Sequence, residues 1–256
     1  MKITRAVVPS LFTVLNMFCG FVSLIHSSEG QFDVAAWFIV LAGIFDSLDG
    51  VMARITKSSS SFGVEIDSLS DVISFGAAPA FLAYKLYLFH YEGIGILISA
   101  LPLILGGIRL ARFNVQLIGF DKDYFSGLPI PSSAITIVAY VLTYRNEVFG
   151  LRGLAADAFA PMIVIVSLLM VSKVKYDTLP KFTRKGWKHH RWRIILTTCA
   201  AVILVVTRMR ALFFIFIFFI LTGIIRWLYH GTRKMLGMVK VKEEEPDIEE
   251  ATSYDV

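Results

Sequence analysis

The stretch from Asp46 to Asp71, DSLDGVMARITKSSSSFGVEIDSLSD, decides how this chain folds, because it places four aspartates inside otherwise apolar sequence. Asp46 and Asp49 stand at i and i+3, so they share one face of the helix predicted for the first half. Asp67 and Asp71, at i and i+4, do the same after the polar TKSSSS turn. Two helices joined by a short turn are antiparallel neighbours. The four carboxylates are therefore predicted to converge.

Four carboxylates in a membrane need a positive partner. One carboxylate near the centre of a bilayer costs about 2.5–3.5 kcal/mol on insertion scales. Oxygen ligands suit hard divalent cations such as Mg²⁺, Mn²⁺ or Ca²⁺, whereas Zn²⁺ prefers the His and Cys that this stretch lacks. Carboxylate-held Mg²⁺ usually completes its shell with water and substrate phosphates, and a pair of metal ions can clamp a phosphoryl group during in-line displacement. The residues point to phosphoryl chemistry.

Small and basic residues accompany the acids. Gly50 and Ala53 lie on the same predicted face as the first two aspartates, where their lack of bulk lets a ligand approach the helix backbone. Gly63 offers a second close approach across the turn. Arg54, near the end of the helix, can reach a phosphate with its planar set of donors. Acids scattered over solvated helix ends are the simpler alternative, and this combined spacing disfavours it.

The spacing D-x2-D-G-x2-A-R-x8-G-x3-D-x3-D resembles that of the CDP-alcohol phosphotransferases, and every fixed position matches. The resemblance implies a membrane enzyme that moves a substituted phosphate from a CDP-linked donor onto an alcohol and releases CMP. It implies that the four aspartates carry two divalent cations, Mg²⁺ or Mn²⁺, with Ca²⁺ also open. It implies that Asp71 is the base for the acceptor hydroxyl, and that Gly50, Ala53, Arg54 and Gly63 border the donor.

Composition identifies a membrane protein. The 256 residues are 56% hydrophobic, with a mean hydropathy of +0.68. Such long apolar runs predict an all-α polytopic membrane bundle, because lipid offers the backbone no hydrogen-bond partner. The net charge of +5 indicates loops that face anionic membrane lipid, and we infer no nucleic-acid binding from it. Cys19 and Cys199 fall in apolar runs and are expected to be packing thiols.

The apolar runs divide the chain into a membrane core and a C-terminal extension. The predicted helices cover residues 9–25, 34–53, 64–89, 94–108, 132–144, 156–171, 194–206 and 212–228. By resemblance the first six form the core, residues 1–175. A basic loop at 176–193 faces anionic lipid, and a pair of extra helices at 194–230 is expected to serve packing or oligomerisation, a homodimer included. The charged tail, 231–256, is expected to be disordered.

Polar residues inside the spans are further candidates. Ser10, Thr13 and Asn16 form a stripe on the first helix, which serves either interhelical hydrogen bonds or the nucleotide pocket of the donor. The resemblance favours Asn16 as a residue that binds CDP-diacylglycerol. Ser70 and Ser74 flank the last aspartate and are predicted to bond carbonyls of their own helix.

Arg109 and Arg112 form an i, i+3 pair, expected at the same membrane face as the aspartates. Basic residues at a helix end commonly reach for lipid phosphates. That interpretation stays open beside a second one, in which the guanidinium groups hold a donor phosphate or an acceptor carboxylate.

Four segments, PSLFTVLNMFCGF, DSLSDVISFGAAPA, RLARFNV and GLPIP, look like one branch of the family, the integral-membrane phosphatidylserine synthases. For that branch the donor is CDP-diacylglycerol, the acceptor is L-serine, and the products are phosphatidylserine and CMP. The same chemistry on glycerol 3-phosphate or inositol is the first alternative. An ion transporter is the second, because intramembrane aspartates also line ion paths.

The distribution of Lys and Arg predicts the orientation. If the N-terminus is cytoplasmic, 5 of the 25 basic residues fall outside: Lys85, Arg145, Arg152, Arg208 and Arg210. This asymmetry follows the positive-inside rule. The metal site is therefore expected to face the cytoplasm, in a prokaryotic cell membrane.

Overall fold

The computed structural model describes residues 7–56, 61–116, 124–146, 150–177 and 211–235. Its helices, in chain order, are α1 Val7–Ser28, α2 Phe32–Thr56, α3 Ser61–Asp71, α4 Ala78–Leu86, α5 Glu92–Gln116, α6 Ile130–Tyr144, α7 Leu154–Val171 and α8 Leu212–Met235. Two short strands, β1 Tyr124–Ser126 and β2 Lys175–Asp177, pair in antiparallel fashion. The predicted helical membrane bundle is confirmed, with this small ribbon added to it.

Within the described ranges, six segments are long and apolar enough to cross a membrane. They are Leu11–Ser28, Phe32–Met52, Phe62–Leu86, Leu88–Val115, Leu154–Val171 and Leu212–Tyr229. Large apolar side chains on these segments are exposed, among them Phe18, Phe21, Ile104, Leu168 and Phe218. Exposed apolar side chains on long apolar helices are suited to lipid contact. The protein is a multi-pass membrane protein.

The sequence predicted one continuous α-helix for the third span, and the structure shows an interrupted one. Directly after Asp71, residues Val72–Ala77 form a π-helical turn, in which the Ala78 N–H donates to the Ile73 carbonyl. Such a turn holds one residue more than an α-helical turn, and π turns often occur at functional sites. The chain then resumes as α4. The buried residues of the turn are Ser74, Phe75 and Gly76.

Helix α6 lies at the centre of the bundle. It has 15 residues, of which the following ten are buried: Ile130, Ser133, Ala134, Ile135, Thr136, Ile137, Val138, Ala139, Tyr140 and Val141. It packs against α2, α7 and α8. At about 1.5 Å per residue it is shorter than the hydrocarbon core of a bilayer. Surrounding helices therefore cover α6.

An ion pair holds the bundle at the end opposite the aspartates. Asp33, in the first turn of α2, pairs with Arg145, which follows α6. The same guanidinium lies 5.4 Å from the centre of the Phe32 ring, an arrangement that favours a cation. These contacts join the start of α2 to the end of α6.

Helix α8 continues to Met235, past the predicted end at residue 228. The predicted helix at 194–206, the basic loop from residue 178 onward and the tail beyond residue 235 lie outside the described residues.

Candidate active site

Three aspartates meet between α2 and α3. Asp46, Asp67 and Asp71 each offer a carboxylate oxygen, and these oxygens lie within 4.8 Å of one another. Asp71 is buried, with 8% of its surface exposed. Ligands of one cation lie at most twice the metal–oxygen distance apart, about 4.2 Å for Mg²⁺ and about 5 Å for Ca²⁺. The oxygen-only donor set and its spacing therefore fit a divalent cation with little movement.

The fourth aspartate, Asp49, is bonded to α1. Its carboxylate accepts a hydrogen bond from Thr13 Oγ1 of α1, and the residue is 9% exposed. Among the described residues, the close cluster contains three of the four carboxylates that were predicted to converge. The role of Asp49 as a metal ligand stays a prediction.

Helix α1 is fastened to the segment that carries Asp71. Asn16 Nδ2 donates to Asp71 Oδ1 over 3.4 Å. Ser70 Oγ donates to the Thr13 carbonyl over 3.1 Å, and Ser74 Oγ donates to the Asn16 carbonyl over 2.8 Å. The prediction that the two serines bond carbonyls of their own helix is therefore wrong. Both serines reach across to α1 instead.

A close helix approach explains this difference. A Cβ atom at Gly20 of α1 would lie 2.4 Å from Ser74 Oγ and 2.7 Å from Ser74 Cα, so no larger residue fits there. The polar stripe of α1 thus serves interhelical hydrogen bonds, through Thr13 and Asn16. Contact between Asn16 and the donor nucleotide stays a prediction, and the side chain of Ser10 lies outside the described residues.

A cavity of about 190 Å³ opens beside the cluster. Its wall is built by α3, by α5 and by the start of α6, with lining residues Val64, Asp67, Ser68, Asp71, Arg109, Leu110, Phe113, Asn114, Pro129, Ile130 and Pro131. Arg109 is the basic residue among them and is 7% exposed. Asn114 Nδ2 donates to Ser68 Oγ over 2.9 Å. From the described residues, the cavity thus combines two carboxylates, one cation and two small polar groups.

The two arginines of α5 differ in surroundings. Arg109 lines the cavity together with Asp71. Arg112 is exposed, and its Nη1 donates to the Val171 carbonyl at the end of α7 over 3.2 Å. Of the pair that the sequence indicated, the structure therefore brings Arg109 to the aspartates and directs Arg112 to α7.

The small residues of the motif are partly described. Gly50 is exposed, and a Cβ atom built on it meets no described atom within 4 Å, so the helix face beside it is open. Gly63 is half-buried near the start of α3. Ala53 and Arg54 continue α2, and their side chains lie outside the described residues.

Several cavity residues were not singled out from the sequence as site residues. Ser68 follows Asp67, Asn114 belongs to RLARFNV, and Pro129 and Pro131 belong to GLPIP. The segments RLARFNV and GLPIP carry the resemblance to the family, but no role was assigned to Asn114, Pro129 or Pro131. These residues lie near α3 because of how α5 and α6 pack. The periodicity of a single helix does not predict that packing.

Comparison with known proteins agrees with the geometry. The family model described as CDP-alcohol phosphatidyltransferase matches residues 6–174. A CDP-diacylglycerol–serine O-phosphatidyltransferase of Helicobacter pylori is 39% identical over 221 residues, which cover 86% of this chain and 91% of the relative. An archaetidylserine synthase of Methanothermobacter thermautotrophicus is 43% identical, covering 68% of this chain and 72% of the relative.

A third relative is shorter than this chain. A CDP-diacylglycerol–serine O-phosphatidyltransferase of Bacillus subtilis is 31% identical over 185 residues, covering 72% of this chain and 98% of the relative. The residues that the family model matches include the aspartate cluster and the residues that line its cavity. The chain therefore belongs to the CDP-alcohol phosphatidyltransferase family.

Proposed function

We propose that this protein transfers the phosphatidyl group of CDP-diacylglycerol to the hydroxyl of L-serine, giving phosphatidylserine and CMP. The observation that carries the proposal is the buried Asp71, which belongs both to the carboxylate cluster and to the wall of the small polar cavity. The relatives named as serine transferases support the choice of acceptor.

The carboxylate cluster is the proposed donor end of the site. Asp46, Asp67 and Asp71 would hold divalent cations, with Asp49 beside them. Bound there, such ions supply Lewis-acid stabilisation of the negative charge on the donor diphosphate and on the departing CMP. The open helix face at Gly50 leaves room for the donor to approach, and the acyl chains stay in the bilayer.

Asp71 is the proposed general base. Its carboxylate takes the proton of the serine hydroxyl, so that the serine oxygen can form a bond to the phosphorus of the phosphatidyl group. The bond from that phosphorus to the oxygen of CMP breaks in the same in-line step. Asn16, which donates to one oxygen of Asp71, orients the carboxylate.

Arg109 is the proposed partner of the serine carboxylate. It is the basic residue in the cavity wall, and its guanidinium can bind a carboxylate with two parallel hydrogen bonds. The Ser68 and Asn114 side chains offer further polar contacts. A volume of about 190 Å³ suits a small acceptor, because pockets for drug-sized ligands measure roughly 300–1,000 Å³. A phosphorylated acceptor such as glycerol 3-phosphate would call for more cationic groups in this wall.

The cluster is proposed to face the cytoplasm. The excess of Lys and Arg in the loops on that side, with 5 of 25 on the other, supports this orientation.

The proposal is tested with purified protein in detergent or vesicles, CDP-diacylglycerol, and Mg²⁺ or Mn²⁺. CMP release is measured with L-serine, glycerol 3-phosphate or inositol as the acceptor, and phosphatidylserine is identified by mass. We expect release that depends on serine. Release that depends on another acceptor, with none for serine, would refute the assignment of the acceptor while leaving the transfer chemistry in place.

A further inference from the structure

One wall of the cavity comes from the residues that join β1 to α6 and from the first residues of α6. Pro129, Ile130 and Pro131 line the cavity, and the same segment begins at Gly127. The Gly127 N–H donates to the Val174 carbonyl over 2.8 Å. We call residues 127–131 the wall segment.

Two features fix the wall segment to the end of α7. Gly127 has a φ of +83°, which favours glycine, and a Cβ atom there would lie 2.1 Å from the Met170 carbonyl oxygen. The Leu128 N–H donates to the Leu169 carbonyl over 2.9 Å. The position of the wall segment therefore depends on the backbone of residues 169–174 and on the ribbon that adjoins it.

That ribbon rests on α8. In the β1–β2 pair, Phe125 lies opposite Tyr176. Tyr176 is 1% exposed, and a Cβ atom at Gly223 of α8 would lie 2.3 Å from its Cε1. The ring of Phe219, one turn earlier in α8, lies 5.4 Å from the ring of Tyr176. The tyrosine ring thus occupies the space that the missing side chain of Gly223 leaves.

The contact between the Tyr176 ring and α8 is made by packing. The Tyr176 hydroxyl is buried and has no hydrogen-bond partner among the described residues, and burial raises the pKa of Tyr176 to about 12. The packing of the ring against Gly223 and Phe219 therefore joins Tyr176 to α8.

Helix α8 also contacts the element that continues the wall segment. The ring of Phe213 lies 5.1 Å from that of Tyr140 and 5.5 Å from that of Tyr144, both in α6. Helix α6 begins at Ile130, which lines the cavity. Helix α8 therefore packs on two elements that adjoin or contain the wall segment, namely the ribbon and α6.

We propose that α8 is a positioning element of the cavity, with Tyr176 and Gly223 as its positioning residues. By packing on the ribbon and on α6, it sets how far the wall segment stands from Asp71. The inference rests on the proposed function in one respect, namely that the cavity receives the acceptor. It assigns to α8 a role in acceptor binding beyond the packing or oligomerisation expected from the sequence. A wall displaced by a fraction of an ångström fits a small acceptor less well and weakens its binding. The carboxylate cluster lies on α2 and α3, so α8 is expected to affect binding of the acceptor more than binding of the donor.

Gly223→Val tests the proposal, because the added side chain would overlap the Tyr176 ring. We expect the KM for serine to rise about tenfold while the KM for CDP-diacylglycerol and kcat change less than about twofold. We expect faster hydrogen exchange at the amides of Gly127 and Leu128, followed by mass spectrometry. Gly93→Val is the matched control, since a Cβ atom there meets no described atom within 4 Å. It should leave all four measurements unchanged.

If Gly223→Val does not fold, Tyr176→Ala is measured in the same way, since it removes the ring on which α8 packs. A folded variant with an unchanged KM for serine and unchanged exchange would overturn the proposal. A fall in kcat and in melting temperature with both KM values unchanged would also overturn it, since a merely structural helix gives that result. If the parent protein releases no CMP with serine, the proposed function fails, and hydrogen exchange still tests the link from α8 to the wall segment.

Discussion

Asn16 of α1 donates a hydrogen bond to Asp71 of α3 over 3.4 Å, although 55 residues separate them in the chain. The bond links the first span to the carboxylate that belongs to both the cluster and the cavity. Residues that hydrogen-bond to a metal ligand and orient it affect metal affinity and activity strongly, although they do not touch the metal. Asn16 is therefore predicted to orient the Asp71 carboxylate.

The first prediction concerns this bond. Asn16→Ala removes the donor and leaves Asp71 free to rotate. We expect kcat to fall about 10–100-fold, the range seen when outer partners of metal ligands are lost. The measurement is serine-dependent CMP release at saturating donor. Asn16→Asp, which adds a buried carboxylate, should lose more activity still. Unchanged kcat in both variants would remove Asn16 from the site.

The second prediction concerns the base. Asp71→Asn keeps the size of the side chain and cannot accept the hydroxyl proton. We expect turnover to fall by at least about 10²-fold, the lower end for loss of a general base. Asp33→Asn is the control, because Asp33 pairs with Arg145 at the opposite end of the bundle. It should keep its activity. Both proteins are checked for insertion and folding by their melting temperature, and retained turnover in Asp71→Asn would exclude this residue as the base.

The third prediction separates the two arginines of α5. Arg109→Gln should raise the KM for serine about tenfold or more, since it removes the charge that is proposed to bind the serine carboxylate. Arg112→Gln is a matched control, because Arg112 is exposed and donates to α7. Its KM for serine should stay within about threefold of the parent value. Equal effects of the two substitutions would contradict the assignment of Arg109.

The fourth prediction concerns Thr13. Thr13→Val keeps the shape of the side chain and removes the hydroxyl that donates to the buried Asp49. Hydrogen bonds to charged groups contribute about 1.5–3 kcal/mol, so the free energy of unfolding should fall by about that amount. Thr136→Val is the control, since Thr136 is also buried and bonds a carbonyl of its own helix over 2.7 Å. A smaller fall for Thr13→Val than for Thr136→Val would contradict the prediction.

The aspartate face could be predicted from sequence because its spacing follows the period of a helix. Asp67 and Asp71 at i and i+4 share a face however the helix packs. The hydrogen bond from Thr13 to Asp49 could not be predicted, because another helix supplies Thr13. The π-helical turn after Asp71 likewise leaves no clear periodic signal in the apolar run 72–77.

The arginine pair shows the same limit. Arg109 and Arg112 lie about 60° apart around α5, given 3.6 residues per turn. The sequence predicts that they are neighbours. The rotation of α5 about its axis decides which one enters the cavity, and this rotation depends on packing against α7 and the π-helical turn. The wall segment is a further case, since the hydrogen bonds of Gly127 and Leu128 link it to residues more than 40 positions later.

The most direct test of the account measures divalent-ion binding by the carboxylate cluster. Mn²⁺ is titrated into the parent protein and into Asp46→Asn, Asp67→Asn and Asp33→Asn, and free Mn²⁺ is followed by electron paramagnetic resonance. Asp46 and Asp67 lie in the cluster, whereas Asp33 pairs with Arg145 elsewhere. We predict that each cluster variant binds Mn²⁺ at least about tenfold more weakly than the parent, with Asp33→Asn unchanged. Equal Mn²⁺ affinity in the parent and both cluster variants would contradict the account.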